Sequence, residues 1–365
     1  MLKPELEKLT PDMQKYSELD RRRVLKHTLA YCIKKRVNVL KLLKIYNQIL
    51  SATEKGYKSG TLDLEAVGGV VSENQMKLIA RVFLDVINMA CADESKQYVK
   101  DNPAAKDVTC KNITASNVPA CWFTPPQTIE GKVFYYIHGG GWFTGSPAAS
   151  SDFCTEIALT TKLRVLSIDY RMYPEHPHPA QIDDVAMVFD WLLDSGITPE
   201  NIVVAGDSAG GHLVLLLLDR LKRAGKSMPA GAVLMSPPFD LSFSNPEILK
   251  NIPSDPVLGL SGAGILIINL LRNAKTNTTS SSDFSPVSFD MTGFPPILLQ
   301  ASTSEILYPD AKALREKAES AGVDITFHTW DGMIHAFQVG ARKQYKEVKE
   351  ANMKIAEFIS KVLSL

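Results

Sequence analysis

The sequence predicts an α/β protein with a mostly parallel eight-stranded sheet, helices on both of its faces and an α-helical cap. Three observations carry this. From about Asp107 onward, short β-branched or aromatic runs alternate with longer amphipathic segments, the βαβ habit that sets neighbouring strands parallel and covers them on both sides. Two earlier runs joined by a short polar turn predict an antiparallel hairpin at the sheet edge. Residues 1–105 show helical spacing alone, with no strand-turn-strand punctuation.

In chain order, Leu25, Leu29, Ile33, Val37 and Leu40 recur at intervals of three and four, and the stretch from Met76 to Cys91 repeats that habit. Such a stripe is expected to pack its apolar side on the domain that follows. The hairpin runs are Val108 to Ile113 and Val118 to Phe123, and the remaining strand runs are Lys132 to Ile137, Arg164 to Ile168, Asn201 to Ala205, Ala230 to Met235, Pro296 to Gln300 and Asp324 to Thr329. Between them, helices are predicted at Ser151 to Thr161, Ala180 to Leu193, Ala209 to Ala224, Ala311 to Ala321 and Lys343 to Leu363. Residues 106–365 therefore read as the sheet-bearing domain. The interval of about sixty residues between Met235 and Pro296 is too long for a structureless loop, so a second cap segment is expected at about 240–292, with an apolar helical patch at Gly264 to Leu271 and a polar run at Thr276 to Ser282.

Forty basic residues balance forty acidic ones over 365 residues, which excludes a globally basic nucleic-acid binder, and 45% hydrophobic content excludes a disordered chain. No apolar run reaches the ~20 residues that cross a bilayer, and the first residues do not resemble a secretion signal, so a cytoplasmic location is expected. The five cysteines lack C-x-x-C spacing and read as reduced thiols, although Cys110 and Cys121 fall where they could face each other across the hairpin.

The chemistry concentrates in three places. Gly206-Asp207-Ser208-Ala209-Gly210 is a G-x-S-x-G run placed directly between a strand and a helix, where the tight turn projects the hydroxyl of Ser208 as a nucleophile. His138-Gly139-Gly140-Gly141-Trp142 follows the strand Lys132 to Ile137. Its glycines let backbone N–H groups approach a developing oxyanion, with Gly140, Gly141 and Ala209 as the candidate donors and His138 as a loop-positioning residue. A serine needs a base, and among the seven histidines His335 lies just beyond the last strand in a glycine-bearing turn; His328 and His212 read as packed or surface residues, and His176 and His178 lack a third metal ligand. The acid is sought after the strand Pro296 to Gln300, where Glu305 comes first and Asp310 heads the next helix, and Glu305 is preferred.

Together these motifs, with Asp169-Tyr170-Arg171-Met172-Tyr173-Pro174-Glu175-His176-Pro177-His178-Pro179-Ala180 as the linking loop, resemble the hormone-sensitive lipase branch of the α/β-hydrolase fold. The resemblance spans roughly Val108 to Phe358. It implies a serine carboxylesterase with the triad Ser208, Glu305 and His335, a cap built from the N-terminus and an insertion, a structural role for Asp183, and no cofactor or metal. The branch usually carries Asp in the acid position, so Glu305 is a departure. The expected substrate is a short- to medium-chain carboxylic ester, with deacetylation of a bulky or sterol-like alcohol as one form; an amidase, a lactonase and a non-catalytic receptor are the alternatives.

The nine cations Arg21, Arg22, Arg23, Lys26, Lys34, Lys35, Arg36, Lys41 and Lys44 occur with no acidic residue between Arg21 and Thr53. Two expectations follow for residues 21–50: a solvated cap face, which is preferred, or a peripheral contact with an anionic membrane. A small-molecule ester is the expected partner, nucleic acid is not, and a homodimer is compatible with the sequence.

Overall fold

A computed structural model of the chain describes residues 6–58, 72–242, 245–259, 284–340 and 345–365. Three helices come first: α1 (Pro11–Lys35), α2 (Val39–Lys58) and α3 (Glu73–Asp101). Thr10 caps α1 by accepting from the Met13 amide, and Ser72 and Gln75 form a reciprocal capping box on α3. The strands are β1 (Thr109–Ala115), β2 (Val118–Thr124), β3 (Val133–Ile137), β4 (Arg164–Ile168), β5 (Ile202–Asp207), β6 (Gly231–Met235), β7 (Ile297–Ser302) and β8 (Ile325–Trp330). They form one sheet in the order β1-β2-β4-β3-β5-β6-β7-β8, antiparallel across β1/β2 and β2/β4 and parallel thereafter.

The longer helices that follow are α4 (Ser151–Thr161), α5 (Ala180–Asp194), α6 (Ala209–Arg223), α7 (Tyr308–Ser320) and α8 (Lys346–Leu363), with a single helical turn at Phe337–Gly340. The period-two alternation of β3 shows how they divide. Val133, Tyr135 and Ile137 join one core with Val185, Val188 and Phe189 of α5 and Leu213, Val214 and Leu217 of α6. Phe134 and Tyr136 join the opposite core with Phe153 and Ile157 of α4 and Ile355 and Ile359 of α8. The chain order reverses at β3, with β4 on one side and β5 on the other, so the loops that leave the carboxyl ends of β3 and β5 diverge and open a crevice between them.

Several expectations change. Helix α7 starts at Tyr308 rather than Ala311, because Pro309 suits the first turn; α8 runs from Lys346 after Tyr345, and the expected start at Lys343 lies outside the described residues. In the β1/β2 register Cys110 lies opposite Phe123 and Cys121 opposite Asn112, so these thiols do not face each other, and both are free. The apolar patch at Gly264 to Leu271 and the polar run at Thr276 to Ser282 lie outside the described residues. The largest change concerns the N-terminal stripe: Leu25, Leu29, Ile33 and Leu40, expected to pack inward, are exposed. Leu42, Ile45, Tyr31 and Cys32 take the buried positions instead.

Candidate active site

The strand-turn-helix passage at Ser208 is forced by sterics. Ser208 has φ 48° and ψ −121°, a left-handed conformation that a side chain tolerates only where its surroundings over-determine it. Two glycines make the turn possible. A Cβ on Gly206 would stand 2.3 Å from the backbone carbon of Gly210, and one on Gly210 would stand 2.0 Å from the carbonyl oxygen of Ile137. The turn is fixed by the Ser208 amide donating to Met235 O at 2.8 Å, and α6 then leads away from it.

His335 meets the serine from the turn after β8. Its Nε2 lies 2.9 Å from Ser208 Oγ, and its Nδ1 hydrogen-bonds Glu305 Oε2. The other carboxylate oxygen of Glu305 accepts from Ser236 Oγ at 2.7 Å and from the Ser302 amide at 2.8 Å, so the buried acid is held at both ends. Burial by itself lowers the imidazole's pKa; the charge and hydrogen bond of Glu305, joined by the charges of Asp255 and Asp207, outweigh it and hold His335 above its ordinary value. A hydroxyl paired with an imidazole that is itself oriented by a carboxylate is the arrangement of an activated oxygen nucleophile.

The glycine loop after β3 is bound to this turn through Asp207, whose Oδ1 accepts from the Gly139 amide at 2.8 Å and from the hydroxyl of Tyr136. Gly140, with φ 108°, and Gly141, with φ 64°, line the same cavity as Ser208 and His335. Ala209 is buried at the first position of α6.

The α/β-hydrolase fold family matches residues 134–339. The chain belongs to this family. It is 37% identical over 236 residues to an esterase of Acinetobacter venetianus, covering 64% of this chain and 76% of that protein. It is 31% identical to an acetyl-hydrolase of Streptomyces hygroscopicus, covering 62% of this chain and 74% of that one. Among solved structures, an esterase from the bacterial hormone-sensitive lipase family superposes with a TM-score of 0.70 at 29% identity, covering 90% of this chain and 99% of that one. The hydrolase is of the hormone-sensitive lipase type and is a serine enzyme of the carboxylic-ester class.

Asp310, the other candidate acid, points elsewhere in this hydrolase. Its Oδ2 accepts from the amides of Phe239 at 2.8 Å and Asp240 at 3.2 Å, bracing the loop after β6, and burial raises its pKa to about 6 in spite of them. His138 is buried, stacks on Tyr170 with ring centroids 4.4 Å apart and bonds Gly139 O through Nδ1, while burial lowers its pKa to about 4. His212 bonds Phe284 O at 2.8 Å, and His328 lies within β8, 6.1 Å from the Trp330 ring. Among the described residues no group of acidic, histidine and cysteine side chains is arranged to hold a metal.

Two placements correct or extend the sequence reading. Asp183 forms an exposed pair with Arg220 at 2.6 Å; the buried structural carboxylate is its neighbour Asp184, which accepts from both the backbone amide and the guanidinium of Arg171 and so pins the linking loop. Sequence reasoning also missed a clamp on the acid turn. Asn251 Nδ2 donates to Thr303 O and Glu305 O, both at 2.9 Å, and Ser254 Oγ donates to Ser304 O at 3.0 Å. Asp255 Oδ2 accepts from the Ile306 amide at 3.0 Å, while its Oδ1 accepts from Val257 and Leu258, two residues of the cavity wall. The clamp residues are polar side chains about fifty positions before the carbonyls and amide they bind, so no motif in the sequence pointed to them.

Proposed function

We propose that the hydrolase cleaves esters of short carboxylic acids, acetate first among them, through an acyl-enzyme on Ser208. The observation that carries this is the single line of hydrogen bonds from Ser208 Oγ through His335 to Glu305, with Ser208 and His335 lining an apolar cavity. Ser208 Oγ attacks the ester carbonyl while His335 Nε2 takes its proton, and Glu305 holds the ring in the tautomer that presents a free Nε2. The amides of Gly140, Gly141 and Ala209 stabilise the negative oxygen; removing one such donor typically costs ~3 kcal/mol of barrier. His335 returns the proton to the leaving alcohol, then draws one from water, whose attack frees the acid and restores Ser208.

The cavity volume supports the short acyl chain. It is about 210 Å³, below the roughly 300–1,000 Å³ of pockets that take drug-sized ligands, which favours a small acyl group. Ile87, Cys91, Phe143, Val257, Leu258 and Val339 make its wall apolar. Val257 lines it while remaining 37% exposed, so the apolar wall reaches the surface at that residue, which supports an uncharged alcohol, a bulky or sterol-like one included.

The test is a series of p-nitrophenyl esters from acetate to palmitate, with Ser208→Ala as control. The expected profile has its highest kcat/KM at acetate or butyrate, with activity lost in the variant. A maximum at palmitate would overturn the acyl assignment, and an active Ser208→Ala enzyme would overturn the mechanism.

A further inference from the structure

Helices α1 and α2 present to solvent the apolar residues that a soluble face would hide. Ile33 and Leu40 are each 78% exposed, and Leu25, Leu29 and Leu43 are between 43% and 58% exposed. They are not scattered. On α1, Arg22, Leu25, Lys26, Leu29 and Ile33 recur at three- and four-residue spacing and therefore share one side of the helix. On α2 the same spacing unites Leu40, Leu43, Lys44, Asn47 and Ser51, which line one open groove. Ile33 and Leu40 flank the short turn between the two helices, and exposed Lys34, Lys35, Arg36 and Lys41 stand beside them.

We infer that this face of α1 and α2 docks on an anionic lipid surface. A row of leucine and isoleucine side chains bordered by long cationic ones is what an interfacial helix needs: the apolar groups enter the acyl boundary, and the lysine and arginine stems reach up to acidic headgroups. Charge decides against a second copy of this chain as the occupant. Residues 21–53 carry nine cations and no carboxylate, so a two-fold contact would set like charges against each other.

The placement suits the site. Both helices pack on α3, whose Ile87, Asn88 and Cys91 wall the cavity, so a docked face would bring that cavity near the membrane. At its start α1 is tied to the turn that bears His335, through the Thr10 amide donating to Gly332 O at 2.9 Å and the packing of Leu9 and Met13 on Met333 and Ile334. The inference concerns binding and stands whether or not the ester assignment holds.

The experiment is co-sedimentation of the full chain with vesicles of phosphatidylcholine alone and of phosphatidylcholine mixed with phosphatidylserine, at low and high salt. Wild type is expected to partition to the anionic vesicles and to be released by salt. The Ile33→Ser/Leu40→Ser variant should lose on the order of tenfold in partitioning, and each of Lys41→Ala and Lys44→Ala about fivefold. Circular dichroism and thermal unfolding of all three should match wild type, which shows that they fold. Failure of wild type to bind anionic vesicles, equal binding to both compositions, or binding unaltered in the variants would overturn the inference. So would a dimer in solution that dissociates on Ile33→Ser/Leu40→Ser, or a fold lost in that variant because the face is covered by the chain itself.

Discussion

The carboxyl end of the sheet and the α1/α2 pair obey opposite rules. At the sheet end the carboxylates around the serine are each pinned more than once: Glu305 by Ser236, Ser302 and His335, Asp207 by Gly139 and Tyr136, and Asp255 by three amides. On α1 and α2 large apolar side chains meet water. The contrast separates interactions made for the fold and its chemistry from side chains whose partner lies outside the chain. It also sets a rule to break: substitutions at the sheet end should be severe, and those on the helix face should leave the isolated enzyme intact.

The largest effect should come from the acid. Glu305→Gln keeps the size of the side chain but no longer favours the productive imidazole tautomer, so kcat should fall by about 10³–10⁴. Asp310→Asn, five residues on, should stay within about tenfold of wild type, because Asp310 braces Phe239 and Asp240 rather than His335. If the two variants exchanged behaviour, the triad would have been drawn through the wrong carboxylate. The pH profiles extend the test. His335 is held above its ordinary pKa and must be neutral to take a proton, so kcat/KM should rise with pH through a midpoint above the ~6.5 of a free imidazole. In Glu305→Gln that midpoint should move down.

Stability separates the carboxylates in the other direction. The pKa of Asp310 is about 6 in the fold, above the ~3.9 of an unfolded chain, so the folded state binds this proton more tightly. Its contribution is complete below the unfolded value and is lost as pH rises through about 6. Asp310→Asn removes that loss. Relative to wild type, the variant's urea midpoint should therefore climb between about pH 4 and pH 7, by an amount equivalent to at most about 3 kcal/mol.

What was legible in the sequence follows the same division. The strands, the elbow, the glycine loop and His335 could be read because each is fixed by local sterics or by position in the βαβ rhythm, as when Gly206 and Gly210 bracket Ser208. Asp183, read as structural, pairs with Arg220; that its neighbour Asp184 pins the linking loop was not legible, because two adjacent carboxylates open the helix and only the three-dimensional position of Arg171 distinguishes them. Asn251 and Asp255 were invisible because their partners lie about fifty residues away in an aperiodic segment. The stripe from Leu25 to Leu40 was visible as a pattern, but periodicity says that apolar residues share a face and does not say what covers it.

Next in size is Gly210→Ala. The new methyl would lie 2.0 Å from Ile137 O, a backbone atom of the central strand, so relief requires the elbow and β3 to part. A loss of about 3 kcal/mol or more is expected, with activity falling along with the fold. Asn251→Ala should be milder. It frees two carbonyls of the acid turn, for about 1–3 kcal/mol measured by urea unfolding. If the clamp positions Glu305, kcat should drop at unchanged KM, and Asn251→Asp, which cannot donate from that position, should not restore it. A variant that lost stability alone would reduce the clamp to packing.

The smallest effect belongs to the helix face, and its smallness is the point. Leu40→Ser removes a side chain that is 78% exposed, so the isolated enzyme should change in stability by no more than about 0.5 kcal/mol. Ile45, five residues later on the same helix, is 1% exposed, and Ile45→Ala should cost about 2–5 kcal/mol. Helix propensity does not produce that gap, since alanine is a better helix former than isoleucine and serine a poorer one than leucine. Only burial does. Equal losses at the two positions would mean that Leu40 is covered in solution, and the contrast between the two regions would fail at the residue where it is sharpest.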